Sequence, residues 1–342
     1  MTTTGVALAT FVLGLASVWL ARSYALSRGM LDRPNERTSH TAPTPRGGGI
    51  AIAGLVSGSA ALSLVRLAGS PPWGYGLVAG GVAVAVVGWL DDHGHVPAPV
   101  RGLVHALAAI GLTLALQGGG ALSGFGADLP AALSVTLVPI ALVWVVNLYN
   151  FMDGADGVAS VEAVMVGLWF LLTAALFDID LDPRLAVIIA AVIGSTSSFL
   201  VFNWPPASIF MGDVGSGFLG FMLGGVAVVS AGSDFPLSAW VIVGGVFWVD
   251  ATLTLLRRMY RGEAWYRPHR EHAYQRALRA GYSPRAVVTA IAVLNLALSG
   301  LAFATVAHPN LAVYIATAAV VCLVLLYGYV EKLEPMAEQR PA

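Results

Sequence analysis

The chain has very few charged residues. Only 11% of its 342 residues are Asp, Glu, Lys or Arg, and 57% are hydrophobic, whereas soluble domains carry roughly 25% charged residues. This composition excludes an ordinary soluble globular domain. The net charge of −1 also provides no basic surface field, so we expect no nucleic-acid partner.

Cysteine and lysine are nearly absent as well. The single cysteine, Cys322, excludes an intramolecular disulfide, and its position in an apolar run predicts a small packed residue. The single lysine is Lys332, so arginine carries almost all of the positive charge. An arginine in place of a lysine at any one position therefore has little diagnostic weight.

What the chain has instead is a series of long apolar runs. A helix needs about 20 apolar residues to cross a bilayer, and the runs predict about eleven such helices. Their approximate limits are residues 4–22, 48–68, 74–90, 100–118, 131–150, 158–177, 185–203, 216–232, 237–256, 287–306 and 311–330. The first run lacks a basic flank, so we predict a retained helix and not a cleaved signal. The fold class is therefore an all-α polytopic membrane protein, with residues 1–342 forming one membrane domain.

The positive charges orient this predicted bundle. If the connections alternate sides, sixteen of the 18 Lys and Arg residues fall on one side, and only Arg66 and Arg184 fall on the other. The positive-inside rule makes the first side cytoplasmic. We therefore predict a protein of the inner (cytoplasmic) membrane with its N-terminus outside and its C-terminus in the cytoplasm.

The predicted cytoplasmic connections are residues 22–47, 91–100, 150–157, 204–215 and 257–286. Within the last of these, Glu271–Ala280 has the pattern of a short amphipathic helix at the membrane surface. Ser283-Pro284 then has the pattern of a cap and first turn for the tenth span.

Four polar clusters stand at the ends of the apolar runs, all on the predicted cytoplasmic side. They are Asp91-Asp92, Asn147–Gly157, Phe210–Ser216 and His269–His272. Carboxylates are costly near hydrocarbon, so several gathered on one face need a compensating partner. The usual partner would be a polyanion held through a metal ion.

The adjacent carboxylates of Asp91 and Asp92 close the third predicted span. Both stay ionised only where cations or solvent compensate their repulsion. One interpretation is a helix end anchored at the membrane surface. The other is a pair that serves Mg²⁺ or a phosphate-bearing reactant, since Mg²⁺ takes one or two protein carboxylates plus substrate phosphates.

The cluster after the fifth span is richer than a turn requires. Asn147, Asn150 and Asp153 are spaced by three and would share one face of a helix. Asp153-Gly154 and Asp156-Gly157 then supply tight turns. Asp and Asn can also read the donor and acceptor edge of a nucleobase. The alternative is a polar turn with helix caps.

The segment from Asn203 to Ser216 leads into the eighth span. Asp213 would cap that helix in the simpler interpretation. In the functional one, the helix N-terminus attracts phosphate and Phe210 stacks on a base, although ordinary packing would explain Phe210 equally well.

The fourth cluster lies in a basic loop. His269 and His272 could bind a transition metal, but no third soft ligand is near them in sequence. With Arg270 alongside, a diphosphate clamp fits better, and a positive anchor at the membrane surface is the alternative. Arg46, in the basic Gly-rich loop 22–47, could flank an anionic substrate, although a loop facing anionic lipid would contain the same residues.

Taken together, the clusters resemble the polyprenyl-phosphate N-acetylhexosamine-1-phosphate transferases, the membrane enzymes of glycosyltransferase family 4. The resemblance covers nearly the whole chain, in order. It rests on Thr44–Gly49, Asp91-Asp92, Asn150–Gly157, Asn203–Ser216 and His269-x-x-His272.

The resemblance implies ten or eleven transmembrane helices and a cytoplasmic active site that uses Mg²⁺, with Mn²⁺ as a substitute. The implied reaction transfers a sugar 1-phosphate from a UDP-N-acetylhexosamine to undecaprenyl phosphate, a membrane lipid, and releases UMP. It would be the first membrane step of a surface glycan. Relatives also suggest a homodimer.

The resemblance also assigns roles to residues. Asp213 matches a Mg²⁺ ligand, and Asp91 and Asp92 match essential residues at the lipid phosphate or near the metal, so we predict Asp92 as a second ligand. His269 matches a residue at the diphosphate or sugar and completes the predicted catalytic set. The predicted substrate-binding residues are Arg46, Asn150, Asp153, Asp156, Asn203, Phe210, Arg270 and His272.

Two departures bear on the donor sugar. The peptidoglycan branch, which uses UDP-MurNAc-pentapeptide, has a triple-histidine run and a lysine in the loop matching 22–47. Here the run is His269-Arg-Glu-His272, and the only basic residues of the loop are arginines and His40. The chain therefore resembles more closely the branch that starts O-antigen and other surface glycans. Its donor would be UDP-GlcNAc or a 6-deoxy relative such as UDP-FucNAc or UDP-QuiNAc, with the peptidoglycan donor as the alternative.

Two functions of other classes remain as alternatives. A transporter or flippase would need acids within its spans, and only Glu162 and Asp250 are candidates here. An inactive homologue acting as a scaffold would retain the fold without the reaction. Within the enzyme hypothesis, a direct transfer and a covalent aspartyl-phosphate route both remain open.

Overall fold

The computed structural model describes residues 2–32, 43–69, 71–117, 131–231, 234–263 and 269–337. Predictions that fall on residues 33–42, 118–130, 264–268 and 338–342, including His40 and the middle of the 22–47 loop, lie outside the described residues. The described part is helical except for one two-stranded ribbon and its connections.

Fifteen helices and strands follow one another along the described residues. They are α1 (Thr3–Arg28), β1 (Leu31–Asp32), β2 (Thr44–Pro45), α2 (Gly49–Arg66), α3 (Pro72–His93), α4 (Ala98–Gln117), α5 (Ala131–Met152), α6 (Val158–Leu176), α7 (Pro183–Asn203), α8 (Asp213–Ser230), α9 (Leu237–Val243), α10 (Gly245–Tyr260), α11 (Ala273–Arg279), α12 (Pro284–Ala307) and α13 (Ala312–Leu333), with a 3₁₀ turn at Pro309–Leu311. The ribbon pairs β1 and β2 antiparallel, with Leu31 opposite Pro45.

The prediction of an all-α polytopic membrane protein is confirmed. Among the described residues, 10 helices are long and apolar enough to cross a bilayer, and α9 with α10 brings the number to 11 if that bent pair is one span. Which terminus faces the cytoplasm stays a prediction. The protein is thus a multi-pass membrane protein.

The ninth predicted span, 237–256, is not one straight helix. It bends by 76° between α9 and α10, at Gly244-Gly245, where glycine has the weakest helix propensity apart from proline. The indole N–H of Trp248 donates to the carbonyl of Val241 at 2.6 Å, which satisfies a backbone group near the break. A Cβ on Gly245 would meet Leu323 at 2.7 Å, so close packing against α13 also favours glycine.

Helix α8 lies at the centre of the bundle and packs against α2, α3 and α5. Most of its side chains are buried, whereas α1 and α13 expose apolar residues such as Leu13 and Leu325 along their outer faces. Exposed leucines are expected where a helix faces lipid. Because α8 is central, its first turn meets the ends of several other helices, and the polar clusters gather there.

The predicted short helix and the cap that follows it are confirmed, and its place at the membrane surface stays a prediction. Helix α11 occupies Ala273–Arg279, within the predicted Glu271–Ala280. The hydroxyl of Ser283 accepts a hydrogen bond from the N–H of Ala286 at 3.2 Å and caps α12.

The two acids that a transporter would need are otherwise engaged. Glu162 accepts a hydrogen bond from the side-chain amide of Asn295 at 2.6 Å, linking α6 to α12. Asp250 accepts from the backbone N–H groups of Ala273 and Tyr274 at the start of α11. Both carboxylates thus hold helices together.

Candidate active site

A polar cavity of about 260 Å³ opens where α3, α5 and α7 end and α8 begins. It brings together eight of the predicted residues: Arg46, Asp92, Asn150, Asp153, Asp156, Asn203, Phe210 and Asp213. It is also lined by Asp32, Ser216 and Gln275. Clusters that are far apart in sequence therefore form one site.

Asp92 caps α8 from outside that helix. Its carboxylate is buried at 4% exposure, and its two oxygens accept from the backbone N–H groups of Asp213 and Val214, each at 3.1 Å. The first N–H groups of a helix have no partner within the helix, and the helix dipole favours a negative charge there. The simpler interpretation, in which Asp213 caps α8 itself, is wrong: α8 begins at Asp213, and Asp92 supplies the cap.

Gly212 permits this arrangement. Its backbone has φ 77° and ψ 171°, a conformation that side-chain-bearing residues almost never adopt. A Cβ there would lie 2.5 Å from one oxygen of Asp92. The glycine before Asp213 is thus required by both backbone conformation and contact.

Arg101, at the start of α4, bridges two of the predicted catalytic acids. Its Nη1 lies 2.7 Å from an oxygen of Asp91 and 2.6 Å from an oxygen of Asp213. The other oxygen of Asp91 accepts from the N–H of Val96 at 2.8 Å. Asp91 therefore lies beside the cavity, and Arg101 links it to Asp213, which lines the cavity.

The Gly-rich segment after β2 forms the floor next to Phe210. The N–H of Phe210 donates to the carbonyl of Pro45 at 2.8 Å, and the N–H of Gly48 donates to the carbonyl of Phe210 at 3.0 Å. Gly49 lies so close to Gly215 that a Cβ could not fit between them. Arg46 donates from Nη2 to the carbonyl of Asp92 at 2.8 Å, which places its guanidinium at the cavity.

Asn203 joins the two loops that form the opposite wall. Its Oδ1 accepts from the N–H of Gly157 at 2.9 Å, and its Nδ2 donates to the carbonyl of Ile209 at 3.0 Å. Asp156 accepts from the N–H of Ala207 at 2.9 Å. These bonds hold the turn after α5 against the loop before α8, so Asn203 acts as a brace as well as a wall of the cavity.

Asn150 and Asn147 do not share the cavity, although their spacing suggested it. Asn150 donates from Nδ2 to the hydroxyl of Ser216 at 3.0 Å and lines the cavity. Asn147 lies one turn deeper and donates to the carbonyl of Val143 in its own helix at 2.7 Å. Asp153 follows the last residue of α5 and lines the cavity from the adjoining turn.

The histidine cluster lies beside the cavity and does not line it. His272 is buried at 2% exposure, with Nδ1 3.5 Å from the carboxylate of Asp250, and the ring of His269 lies 4.8 Å from the ring of His272. The backbone carbonyl of Arg270 accepts from Arg279. From this segment it is Gln275, on α11, that reaches the cavity.

Carboxylates crowd the cavity. Burial and the nearby carboxylates of Asp213, Asp92 and Asp156 raise the pKa of Asp153 well above its usual range. By contrast, burial lowers the pKa of His269 to about 3, with His272 and Arg258 contributing. His269 is therefore neutral at physiological pH and supplies a hydrogen bond and no charge.

The residues present fit a Mg²⁺ ion. No group of three or more His, Cys, Asp or Glu side chains within the described ranges forms a ready metal cage. Mg²⁺ needs only one or two carboxylates, because waters and substrate phosphates complete its shell. Asp213, Asp153 and Asp92 offer such carboxylates in one cavity, where a cation would offset their mutual repulsion.

Four residues of this site were not predicted. They are Arg101, Asp32, Ser216 and Gln275. Ser216 ends a predicted motif and Gln275 lies three residues after His272, whereas Arg101 and Asp32 have no distinctive sequence setting. Arg101 lies ten positions after Asp91, and this spacing was the best available signal for its role, because two adjacent acids need a nearby cation.

Comparison with known proteins decides the family. The model of "Glycosyl transferase family 4" matches residues 75–231. A Mycobacterium leprae protein named "Decaprenyl-phosphate N-acetylglucosaminephosphotransferase" is 31% identical to this chain, over 82% of this chain and 77% of its own length. The chain belongs to glycosyl transferase family 4.

Other members of the family cover the chain to a similar extent. The Mycolicibacterium smegmatis "Decaprenyl-phosphate N-acetylglucosaminephosphotransferase" is 30% identical over 83% of this chain and 77% of its own. The Yersinia pestis "Undecaprenyl-phosphate alpha-N-acetylglucosaminyl 1-phosphate transferase" is 27% identical over 93% of this chain and 88% of its own. The predicted resemblance to the polyprenyl-phosphate N-acetylhexosamine-1-phosphate transferase family is thus confirmed.

Proposed function

We propose that the protein transfers an N-acetylhexosamine 1-phosphate from a UDP-sugar to undecaprenyl phosphate and releases UMP. The observation that carries the proposal is the cavity in which Asp92, Asp153 and Asp213 meet Arg46 at one end of a membrane bundle. The names of the relatives, which transfer N-acetylglucosamine 1-phosphate to a polyprenyl phosphate, support the reaction and favour an N-acetylhexosamine over UDP-MurNAc-pentapeptide.

The proposed reaction is a direct displacement. An oxygen of the acceptor phosphate attacks the phosphorus that bears the sugar, and the bond from that phosphorus to the bridging oxygen breaks. The bridging oxygen leaves with UMP. A phosphate monoester has its second pKa near about 6, so the acceptor is mostly dianionic at neutral pH and needs little help from a general base.

Asp213 is the proposed magnesium ligand, because its carboxylate faces the cavity at the start of α8. Asp92 remains the proposed second ligand beside its capping role, since each carboxylate oxygen has a second lone pair. A bound Mg²⁺ would offset the charge of the diphosphate as UMP leaves.

Arg101 and Arg46 are the cations that the chain itself supplies. Arg101 neutralises Asp91 and Asp213. With Mg²⁺ held by Asp213, the guanidinium of Arg101 would be available to the phosphate of the acceptor. Arg46, held against the carbonyl of Asp92, is proposed to contact the diphosphate of the donor.

A second, apolar cavity supports a lipid acceptor. It has a volume of about 520 Å³ and lies among α5, α6, α8, α9 and α10. Tyr149 lines the apolar cavity, and the next residue, Asn150, lines the polar one. We propose that part of the polyprenyl chain occupies this space while its phosphate reaches the carboxylates.

The surface-glycan pathway, the inner-membrane location and the cytoplasmic face of the site are part of the proposal. They rest on the distribution of arginine between the two sides of the bundle and on the solubility of nucleotide sugars in the cytosol. The homodimer stays a prediction.

A transfer assay on the purified protein tests the proposal. The reaction contains undecaprenyl phosphate, Mg²⁺ and one UDP-N-acetylhexosamine at a time, and UMP and lipid-linked sugar are measured. Mg²⁺-dependent UMP release with one donor supports the proposal and names the sugar. Release with UDP-MurNAc-pentapeptide alone would move the protein to the peptidoglycan reaction, and donor binding without turnover would favour a scaffold.

A further inference from the structure

Helix α11 contributes to the cavity although it is a single short element at the edge of the bundle. It has 7 residues, and isolated helices of that length are unstable in water. Its position must therefore come from its neighbours. Those neighbours lie on two sides, toward the cavity and toward the C-terminal segment.

On the cavity side, α11 is fixed by its cap and by one tyrosine. Asp250 accepts from the N–H groups of Ala273 and Tyr274, and the hydroxyl of Tyr274 donates to the carbonyl of Phe151 at 3.3 Å. The Oε1 of Gln275 accepts from the N–H of His272 at 3.3 Å. Because Oε1 is used in this bond and Gln275 lines the cavity, Nε2 is the group that Gln275 has left to donate there.

On the other side, α11 is held by the end of α13. Arg276 is fully buried at 0% exposure; it forms an ion pair with Glu331 and lies 4.7 Å over the ring of Tyr327. Glu331 also accepts two hydrogen bonds from Arg257 on α10, at 2.7 and 2.8 Å. One carboxylate thus ties α10, α11 and α13 together.

The residues after α13 extend the same contact. Glu334 accepts from Nε of Arg279 at 3.3 Å, and the N–H of Ala337 donates to Glu271 at 3.1 Å. Met336 is buried at 3% exposure, so this stretch is packed and does not extend freely into solvent. Residues 331–337 are called the C-terminal clamp below.

We propose that the C-terminal clamp positions α11 so that Gln275 donates a hydrogen bond to the sugar donor, with Glu331 as the positioning residue. The inference rests on the proposed function of the cavity. Glu331 does not line the cavity and acts through Arg276, whose neighbour Gln275 does. Loss of the clamp should therefore weaken donor binding without altering the acceptor site.

One substitution and two truncations separate the parts of the clamp from the remainder of the tail. Glu331→Gln weakens the ion pair with Arg276 and leaves α13 and the tail in place. A chain ending at Leu333 retains Glu331 and all of α13 but loses Glu334, Met336 and Ala337. A chain ending at Ala337 retains the clamp and is the matched control. We expect Glu331→Gln and the chain ending at Leu333 each to raise the KM of the UDP-sugar about tenfold, the loss of about one hydrogen bond to a charged ligand. The kcat and the KM of undecaprenyl phosphate should change little. The control should match the full chain.

Hydrogen exchange provides a readout that does not depend on activity. Residues 273–279 should exchange faster in the chain ending at Leu333 and in Glu331→Gln, while peptides from α5 and α8 exchange as in the full chain. Unchanged exchange of residues 273–279 in both variants would overturn the clamp. A parallel rise of both KM values with faster exchange throughout would overturn the positioning role in favour of general destabilisation.

Failure of the proposed function gives a different pattern. In that case the full chain shows no transfer with any donor, and the exchange of residues 273–279 alone decides whether the clamp holds α11. If the full chain is active and both Glu331→Gln and the chain ending at Leu333 keep its donor KM, the reaction stands and the proposed role of Gln275 and the clamp falls.

Discussion

Replacement of Gly212 by alanine tests whether the Asp92 cap sets the geometry of the site. The new Cβ would lie 2.5 Å from one carboxylate oxygen of Asp92 and 2.8 Å from the other. It would also sit on a backbone with φ 77° and ψ 171°. Both conflicts fall on the residue that precedes Asp213, the proposed magnesium ligand.

The magnitude follows from these distances. The nearest oxygen must withdraw by about 1 Å to reach ordinary van der Waals separation, which breaks the 3.1 Å hydrogen bonds from the N–H groups of Asp213 and Val214. Loss of a helix cap costs about 1 kcal/mol, and the strained backbone costs a further ~1–3 kcal/mol. A misplacement of about 1 Å at a reactive site can lower the rate by about 100-fold.

The control is Gly29→Ala at the end of α1. Gly29 also has a positive φ, 66°, with ψ 24°, and a Cβ there meets nothing within 4 Å. It should lose about 1–2 kcal/mol of stability and keep its rate of transfer. Initial rates and thermal melting in detergent measure both quantities. Gly212→Ala with a rate within about twofold of the Gly29 variant would refute the idea that the cap controls catalysis.

Four further outcomes are expected. Asp213→Asn should abolish Mg²⁺-dependent transfer yet stay folded by detergent melting; wild-type turnover would contradict the metal assignment. Arg101→Ala should lower the transfer rate by about tenfold or more, because Asp91 and Asp213 lose their shared cation. Arg101→Lys should restore only part of the rate, since the lysine ammonium lacks the planar set of donors that the guanidinium presents. Asn203→Ala should lower the free energy of unfolding by ~1–3 kcal/mol, because buried backbone groups lose their partners; an unchanged melting temperature would contradict the bracing role. The pKa of His269 is about 3 in the folded protein against 6.5 in the unfolded chain, so the unfolded state binds more protons between these pH values and stability should fall as pH drops below 6.5. His269→Gln should lose less stability over that range. An identical pH dependence of melting in the two proteins would contradict the assignment.

The fold and the composition of the cavity could be predicted from sequence because the signal is local. Apolar runs of sufficient length predict spans, and Asp92, Asp153 and Asp213 each stand at the end of such a run. Once the connections alternate sides, these ends must share a face. The packing of α8 against α3 and α5 then brings the acids into one cavity.

The partners of those acids could not be predicted, because they depend on contacts between distant segments. Asp92 caps a helix that begins 121 residues later, and no local pattern records that pairing. Arg101 and Gln275 are ordinary residues in sequence and acquire a role only through position. The break in the ninth span could have been predicted, since Gly244-Gly245 weakens any helix, but hydropathy alone does not indicate it.

Asp92 and Asp250 use the same device with different consequences. Each carboxylate accepts N–H groups at the start of another helix, where the helix dipole compensates a buried negative charge. The cap on α8 orders Asp213, and the cap on α11 orders Gln275. Loss of activity in a variant of either acid is therefore no proof that the acid touches substrate. A variant of Asp250 that raises the donor KM alone would place its effect on α11, whereas a variant of Asp92 should lower kcat through Asp213, whether or not Asp92 itself binds the metal.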